Sequence, residues 1–296
     1  MIDSIEGLHH VTSLASDARA NNAFFTDVLG LRRVKTTVNF DAPDVYHLYY
    51  GDAAGTPGSV MTYFPFPQAA RGRPGAGEVG VTRFAVPPGS LAAWSERLSA
   101  RGVAGLERAE TFGAPELHLS GPDGDAFALV EAEDVAIRGF HSAGLRLRDA
   151  GATAELLALM GYEEAARHGD TRRFVLPGGR AANLVDVETL PGAPEARQGA
   201  GSVHHLAFAV PDKDRQLLVR KTLVDEGWAV TPPIDRDYFW AIYFRTPGGV
   251  LFEIATDEPG FARDEAPGDL GRALKLPHRH EHLRAELERS LVPLEG

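Results

Sequence analysis

The chain has 296 residues, of which 44% are hydrophobic, so it can bury a substantial core and is long enough for two domains. Its net charge is −11, with acidic and basic residues mixed, and no basic face is visible that would suit nucleic acid. The absence of cysteine excludes disulfides, thiolate metal ligands and a cysteine nucleophile. With no signal-peptide pattern and no run near 20 apolar residues, we expect a soluble cytoplasmic protein without membrane contact.

The first predicted unit begins with LHHVTSLASD at residues 8–17, a short strand pattern that ends at an aspartate. Apolar residues at helical spacing follow Asp17, and Gly30 is a candidate C-cap for that helix. The segments DVYHLYYGD and SVMTYFPF then have the composition of strands. This unit is therefore predicted as a strand, a helix and further strands.

Two weaker copies of this order follow along the chain. The second unit has a strand pattern from residue 79, a helix from Ser90 to about Arg101, and strands in ELHLSG and AFALVEA. The third unit begins at residue 140, continues with a helix after Asp149, and has strands in RRFVLPG and AANLVDV. Both copies predict the same succession of elements as the first unit.

The fourth unit repeats the opening motif as VHHLAFAVPD at residues 203–212. A helical pattern ends at Gly227, and YFWAIYFRTPGGVLFEIAT reads as two strands around a Pro-Gly-Gly turn. We therefore expect an α+β fold of four βαβββ modules in two tandem pairs, with a C-terminal helical tail. The predicted division is an N-terminal pair at 1–137, a C-terminal pair at 138–262 and a helical extension at 263–296.

Four βαβββ units, with a histidine pair in the first strand of units one and four, resemble the vicinal-oxygen-chelate superfamily. It includes glyoxalase I, bleomycin-resistance proteins and extradiol ring-cleaving dioxygenases. The resemblance covers nearly the whole chain. It implies that each unit offers two ligand positions facing the cup of its sheet, one in the first strand and one in the last.

The eight positions implied by the resemblance hold three strong metal ligands, which are His10, His205 and Glu253. The other five are apolar or neutral residues: Val81, Ser142, Thr62, Ala128 and Asn183. Two imidazoles and one carboxylate form the facial triad typical of non-haem Fe(II), which leaves sites open for substrate and O2. Mn(II) suits the same ligands, so the sequence does not separate the two metals.

Other candidate ligands fit less well. A lone histidine in a strand is usually structural, but two matched histidine pairs with a matched glutamate are harder to explain that way. Glu131 lies three residues beyond the ligand register. His278 and His282 have a spacing that can bind zinc on a helix, but no further strong ligand is implied there, so a solvated face is favoured.

Neighbouring side chains in a strand point to opposite faces, so one histidine of each pair faces the cup. The periodicity does not decide which one. The resemblance favours the second histidine as ligand, which leaves His9 and His204 as catalytic helpers or as structural residues.

Ligands from the first and fourth units resemble the arrangement of hydroquinone ring-cleaving dioxygenases, as do the segments 45–67 and 236–261. This resemblance implies roles beside the metal for His9, Arg236 and Tyr243. The hairpin around Gly248 independently predicts Tyr243 opposite Glu253, where its hydroxyl could exchange a proton with substrate. Four aromatic residues could form an apolar wall for the ring or belong to the core: Phe64, Phe66, Phe239 and Trp240.

We therefore predict a non-haem Fe(II)-dependent, extradiol-type dioxygenase that cleaves a small hydroquinone or catechol-type ring and incorporates both atoms of O2. Two alternatives are a glyoxalase-type metal-dependent isomerase or lyase and a non-catalytic bleomycin-resistance-like binding protein. The sequence leaves open the substrate, including a halogenated one, and the oligomeric state, including a homo-oligomer.

Overall fold

A computed structural model describes residues 1–132 and 139–295. These residues form four βαβββ modules and a C-terminal tail with a short helix, which confirms the predicted α+β fold class. The predicted division at residues 137 and 138 lies outside the described residues. None of the described helices has the length and apolar character needed to cross a membrane.

Each module contributes four strands and one main helix. The first has β1 (Leu8–Ala15), α1 (Ala18–Ala23) with a π-helical turn (Phe24–Val28), β2 (Arg32–Val38), β3 (Tyr46–Gly51) and β4 (Val60–Pro65). The second has β5 (Glu78–Val86), α2 (Leu91–Ala100), β6 (Glu107–Thr111), β7 (Ala114–Ser120) and β8 (Ala126–Glu131).

The other two modules and the tail follow. The third has β9 (Phe140–Leu147), α3 (Gly151–Leu159), β10 (Glu163–His168), β11 (Thr171–Val175) and β12 (Leu184–Thr189). The fourth has β13 (Val203–Val210), α4 (Lys213–Asp225), β14 (Ile234–Asp235), β15 (Phe239–Arg245) and β16 (Leu251–Pro259). The tail has 3₁₀ turns (Phe261–Arg263, Pro267–Asp269, His278–Leu283) and α5 (Arg284–Ser290).

The repeated aspartates end the first strands because they cap the helices that follow. Asp17 accepts a hydrogen bond from the backbone N–H of Ala20, and Asp212 accepts one from that of Arg215. The chain then turns back to the sheet beyond each helix. Gly30 adopts a φ of 74° after the first helix, a conformation that favours glycine.

The described strands form two eight-stranded sheets, and each sheet combines one module from the N-terminal half of the chain with one from the C-terminal half. One sheet has the order β14-β15-β16-β13-β1-β4-β3-β2, so the first and fourth modules share it. The other, β10-β11-β12-β9-β5-β8-β7-β6, joins the second and third modules. The two sheets do not correspond to the two halves of the chain. Within each sheet the two modules are joined by an antiparallel strand pair, β1 with β13 in one and β5 with β9 in the other.

Side chains alternate between the two faces of the first sheet. Phe208 and Ile254 belong to the large core. Their neighbours Ala207 and Ala255 belong to a smaller apolar cluster, which also contains Phe239. The smaller cluster lies on the face that carries the predicted ligands.

Strand pairing corrects one of the eight ligand positions. Ala207 lies beside Glu253, and the corresponding pair in the third module is Gly144 beside Asp186. The counterpart of Glu253 is therefore Asp186, and the assignment of Asn183 was wrong. The connection before β12 spans eight residues (176–183), whereas the turn before β16 spans five (246–250), so an ungapped comparison misses the position by three.

The second sheet holds internal ion pairs around Asp186. This buried carboxylate accepts hydrogen bonds of 2.7 and 2.8 Å from Arg173, and its Oδ2 lies 3.5 Å from Nη1 of Arg83. Nε of Arg83 donates to buried Glu116 at 2.9 Å. A guanidinium therefore lies between two buried carboxylates of the second sheet.

Replacing Arg83 with methionine should lower the free energy of unfolding by about 3–5 kcal/mol, because two buried carboxylates lose a shared cation. The matched change Arg108→Met removes an exposed arginine of the same sheet and should cost under roughly 0.5 kcal/mol. Urea unfolding of both variants measures the difference. Equal stability of the two variants would show that Arg83 does not hold the second sheet together.

Candidate metal centre

The three predicted ligands lie on three adjacent strands of the first sheet. His10 is on β1, His205 on β13 and Glu253 on β16, and all three are buried. Nε2 of His10 is 3.2 Å from Nε2 of His205 and 3.5 Å from Oε2 of Glu253. Nε2 of His205 is 2.8 Å from the same oxygen. The structure thus brings together one ligand atom from each residue.

This cluster fits a divalent cation. Two ligands at right angles and about 2.1 Å from one ion lie roughly 3.0 Å apart, close to the spacing of these three atoms. Neither oxygen of Glu253 accepts a well-aligned hydrogen bond from the part of the chain that the structure describes, although the side chain is fully buried. Burial alone would raise the pKa of Glu253, but His10 and His205 outweigh it and hold that pKa well below its usual value.

No other group of three His, Asp or Glu side chains within residues 1–132 and 139–295 brings ligand atoms as close as these. Glu131 instead accepts a hydrogen bond from the backbone N–H of Leu91 at the start of α2. His278 and His282 are exposed on the tail. The two rival positions considered from the sequence therefore lie away from this cluster.

The first histidine of each pair contacts the second. Nδ1 of His9 is 2.8 Å from Nδ1 of His10, and Nδ1 of His204 is 2.8 Å from Nδ1 of His205. With Nε2 on an ion, each ligand imidazole carries its proton on Nδ1 and can donate it to its neighbour. Burial and the adjacent His10 lower the pKa of His9 to about 3, and burial and His205 lower that of His204 to about 4.

Tyr243 lies opposite Glu253 in the hairpin, which confirms the predicted register. Its ring centroid is 5.7 Å from that of His205. Burial and the nearby carboxylate of Glu253 raise the pKa of Tyr243, so its phenol stays protonated at neutral pH. Nε of Arg236 donates to the Tyr243 hydroxyl at 3.3 Å, which places a guanidinium beside the candidate metal.

A cavity of about 170 Å³ opens onto the three ligands. Phe64, Phe66 and Phe239 line it and give it an apolar wall, one of the two roles considered for them from the sequence. Trp240 does not, because it alternates with Phe239 and packs under the ammonium of Lys213, whose Nζ lies 3.2 Å from its ring centroid. The volume is below the 300–1,000 Å³ typical of sites for drug-sized ligands and suits a single ring.

A family model described as the Glyoxalase/Bleomycin resistance protein/Dioxygenase superfamily matches residues 7–175 and 127–254. The chain belongs to this superfamily. Its relatives include the "Putative ring-cleaving dioxygenase MhqO" of Bacillus subtilis (strain 168), 40% identical over 98% of this chain and 96% of that protein. The "Chlorohydroquinone/hydroquinone 1,2-dioxygenase" of Sphingobium indicum is 36% identical over 98% and 97%.

Solved structures of the superfamily show the same fold. A "putative dioxygenase" from Bacillus subtilis superposes with a TM-score of 0.95 at 40% identity, over 99% of this chain and 98% of that one. Glyoxalase I from Zea mays gives a TM-score of 0.66 at 14% identity, over 85% and 92%. At that identity the second likeness concerns the fold alone.

His47 was not among the predicted site residues, but it lies on β3 and lines the cavity. Its ring lies between Tyr49 and Phe64, at centroid distances of 4.1 and 4.2 Å. Its nitrogens lie 2.8 Å from the hydroxyls of Tyr49 and Thr62. Tyr49 pairs with Thr62 as Tyr243 pairs with Glu253, so the hairpin argument applied to the first module would have placed His47 on this face.

Five buried or half-buried histidines of the described residues should make the metal-free protein sensitive to acid. Burial lowers the pKa of His9, His47, His141, His204 and His205 below the usual 6.5, so the unfolded chain binds protons there before the folded chain does. Stability should therefore fall as pH drops from about 6.5 to about 4. Asp125, whose pKa burial raises to about 6, opposes this trend, as do Glu78 and Asp237, whose pKa values burial also raises, but the histidines are more numerous.

Scanning calorimetry with a chelator, at several pH values between 7 and 4, measures this dependence. A melting temperature that stays constant or rises toward pH 4 would contradict it.

Proposed function

We propose that this chain is a non-haem Fe(II)-dependent dioxygenase that cleaves a hydroquinone-type dihydroxylated aromatic ring. The observation that carries this proposal is the convergence of His10, His205 and Glu253 at the end of a small cavity lined by aromatic side chains. The curated relatives named as ring-cleaving and hydroquinone dioxygenases support it, because they align over nearly their whole length.

These ligands would hold Fe(II), with Mn(II) as the alternative. The bound ion would supply a Lewis acid and a path for electrons between the ionised aromatic and O2, so that both oxygen atoms enter the product. His9 and His204 orient the two ligand imidazoles through their Nδ1 contacts.

The remaining residues bind and orient the substrate. Arg236 offers a positive charge on the cavity wall, which suits an ionised phenolic oxygen. Tyr243 keeps its proton near neutral pH and can donate it to a substrate oxygen. Phe64 and Phe239 provide apolar surface for the ring and exclude water.

A glyoxalase-type isomerase or lyase fits these side chains less well. The first-module counterpart of Glu253 is Thr62, whose hydroxyl lies 2.8 Å from His47 and 3.0 Å from Thr12. The site therefore offers three strong ligands, whereas isomerases and lyases of the superfamily normally use four.

Anaerobic loading should give one Fe(II) per chain, and the loaded protein should consume O2 with hydroquinone. Mass spectrometry with ¹⁸O₂ should find both labelled atoms in the product. His10→Ala should lose both metal and activity, whereas His168→Ala, which changes an exposed histidine, should retain them. Stoichiometric metal uptake without O2 consumption on hydroquinones or catechols would reject the dioxygenase, and no uptake would favour a metal-free binding protein.

Tyr243→Phe should keep metal binding, because no ligand is removed, and should lower kcat by roughly 10²–10⁴-fold if the hydroxyl carries a proton. Tyr162→Phe is the matched control, since its buried hydroxyl has no hydrogen-bond partner among the described residues. Steady-state kinetics and metal analysis of both variants test the role. A loss under tenfold with unchanged substrate affinity would make Tyr243 a packing residue.

A further inference from the structure

The C-terminal segment with sequence PHRHEH contacts the mouth of the candidate site, although none of its residues lines the cavity. It forms the 3₁₀ turn at His278–Leu283. Nη2 of Arg279 and Nε2 of His280 both reach the carbonyl oxygen of Phe40, the latter at 2.8 Å. Two side chains of the tail therefore bind one backbone group of the loop between β2 and β3.

The loop is held by its own hydrogen bonds, and the carbonyl of Phe40 accepts its hydrogen bonds from the tail. The N–H of Asn39 donates to the carbonyl of Val45, and the N–H of Asp41 donates to the side chain of Asn39. Phe40 is buried, and a buried carbonyl needs a hydrogen-bond partner. Arg279 and His280 are the partners the structure gives it.

Phe40 itself forms part of the cavity wall. Two guanidinium groups lie near its ring, that of Arg236 at 5.3 Å inside the site and that of Arg279 at 5.2 Å on the tail. Asp41 bridges the same two arginines at 3.6 and 3.3 Å. The position of this wall relative to Arg236 therefore depends on the tail.

We propose that Phe40 determines the size of the ring that the cavity accepts, and that Arg279 and His280 are positioning residues that hold it there. This inference rests on the proposed function for its substrate class, which is a single dihydroxylated ring with small substituents. A bulky substituent on the ring meets the Phe40 wall unless the loop moves outward. The tail prevents that movement through the Phe40 carbonyl and Asp41.

The first test compares hydroquinone with tert-butylhydroquinone as substrates of the iron-loaded enzyme. The ratio of their kcat/KM values should fall by about tenfold or more in Arg279→Ala/His280→Ala, because a loosened wall discriminates less by size. Phe40→Leu, which stays apolar but is smaller, should change the ratio in the same direction. The matched control His282→Ala/Arg289→Ala removes the same residue types from exposed tail positions and should keep the ratio within about twofold.

Amide hydrogen exchange supplies a second readout that needs no activity. Exchange over residues 39–46 should speed up by about tenfold or more in Arg279→Ala/His280→Ala and stay unchanged in the control. Unchanged exchange would overturn the tail's role. Faster exchange with an unchanged substrate ratio would overturn the role of Phe40.

Failure of the proposed function gives a different result. If wild type consumes no O2, calorimetric dissociation constants of the two hydroquinones with metal-loaded protein replace kcat/KM, and the same tenfold change is expected. Size discrimination that is equal in wild type, both loop-directed variants and the control would then reject this inference independently of turnover.

Discussion

Strands β1 and β13 lie side by side and antiparallel, with His10 facing Ala207 and Thr12 facing His205. This contact joins the start of the first module to the start of the fourth, and it sets the distance between the two imidazoles. Glu253 then follows from the parallel pairing of β13 with β16. Backbone hydrogen bonds of one sheet therefore determine the whole ligand geometry, and the side chains need little reorganisation to bind an ion.

The two sheets have the same architecture but differ in how their buried carboxylates are neutralised. In the second sheet, the carboxylates of Glu116 and Asp186 are neutralised by arginines of the same chain. In the first, Glu253 has two imidazoles and no guanidinium in direct contact among the described ion pairs, and a cavity opens beside it. In the second sheet, arginines of the chain pair with the buried carboxylates. In the first sheet, the carboxylate of Glu253 contacts only imidazoles among the described ion pairs and faces a cavity that a ligand can enter.

The internal repeats and one short turn allowed most of the predictions about the fold and the site. The matched histidine pairs located two ligand positions, and the family resemblance favoured His10 and His205 within the pairs. The short Pro-Gly-Gly turn allowed the register of Tyr243 to be counted from Glu253. Asp186 was not recognised as the counterpart of Glu253, because the loop before it has three additional residues and no residue pattern revealed them. Phe40 escaped for another reason, since its contact with the tail joins residues 239 positions apart and leaves no periodic signal.

The ligands His10 and His205 are 195 residues apart, and Glu253 comes 48 positions after the second of them. A nascent chain leaving the ribosome therefore cannot assemble the metal centre until residue 253 has been made. Chains that terminate before residue 253 would carry at most two of the three ligands and would hold the ion more weakly. Metal loading in a cell thus reports that the chain has been made as far as β16 and that the first and fourth modules have met.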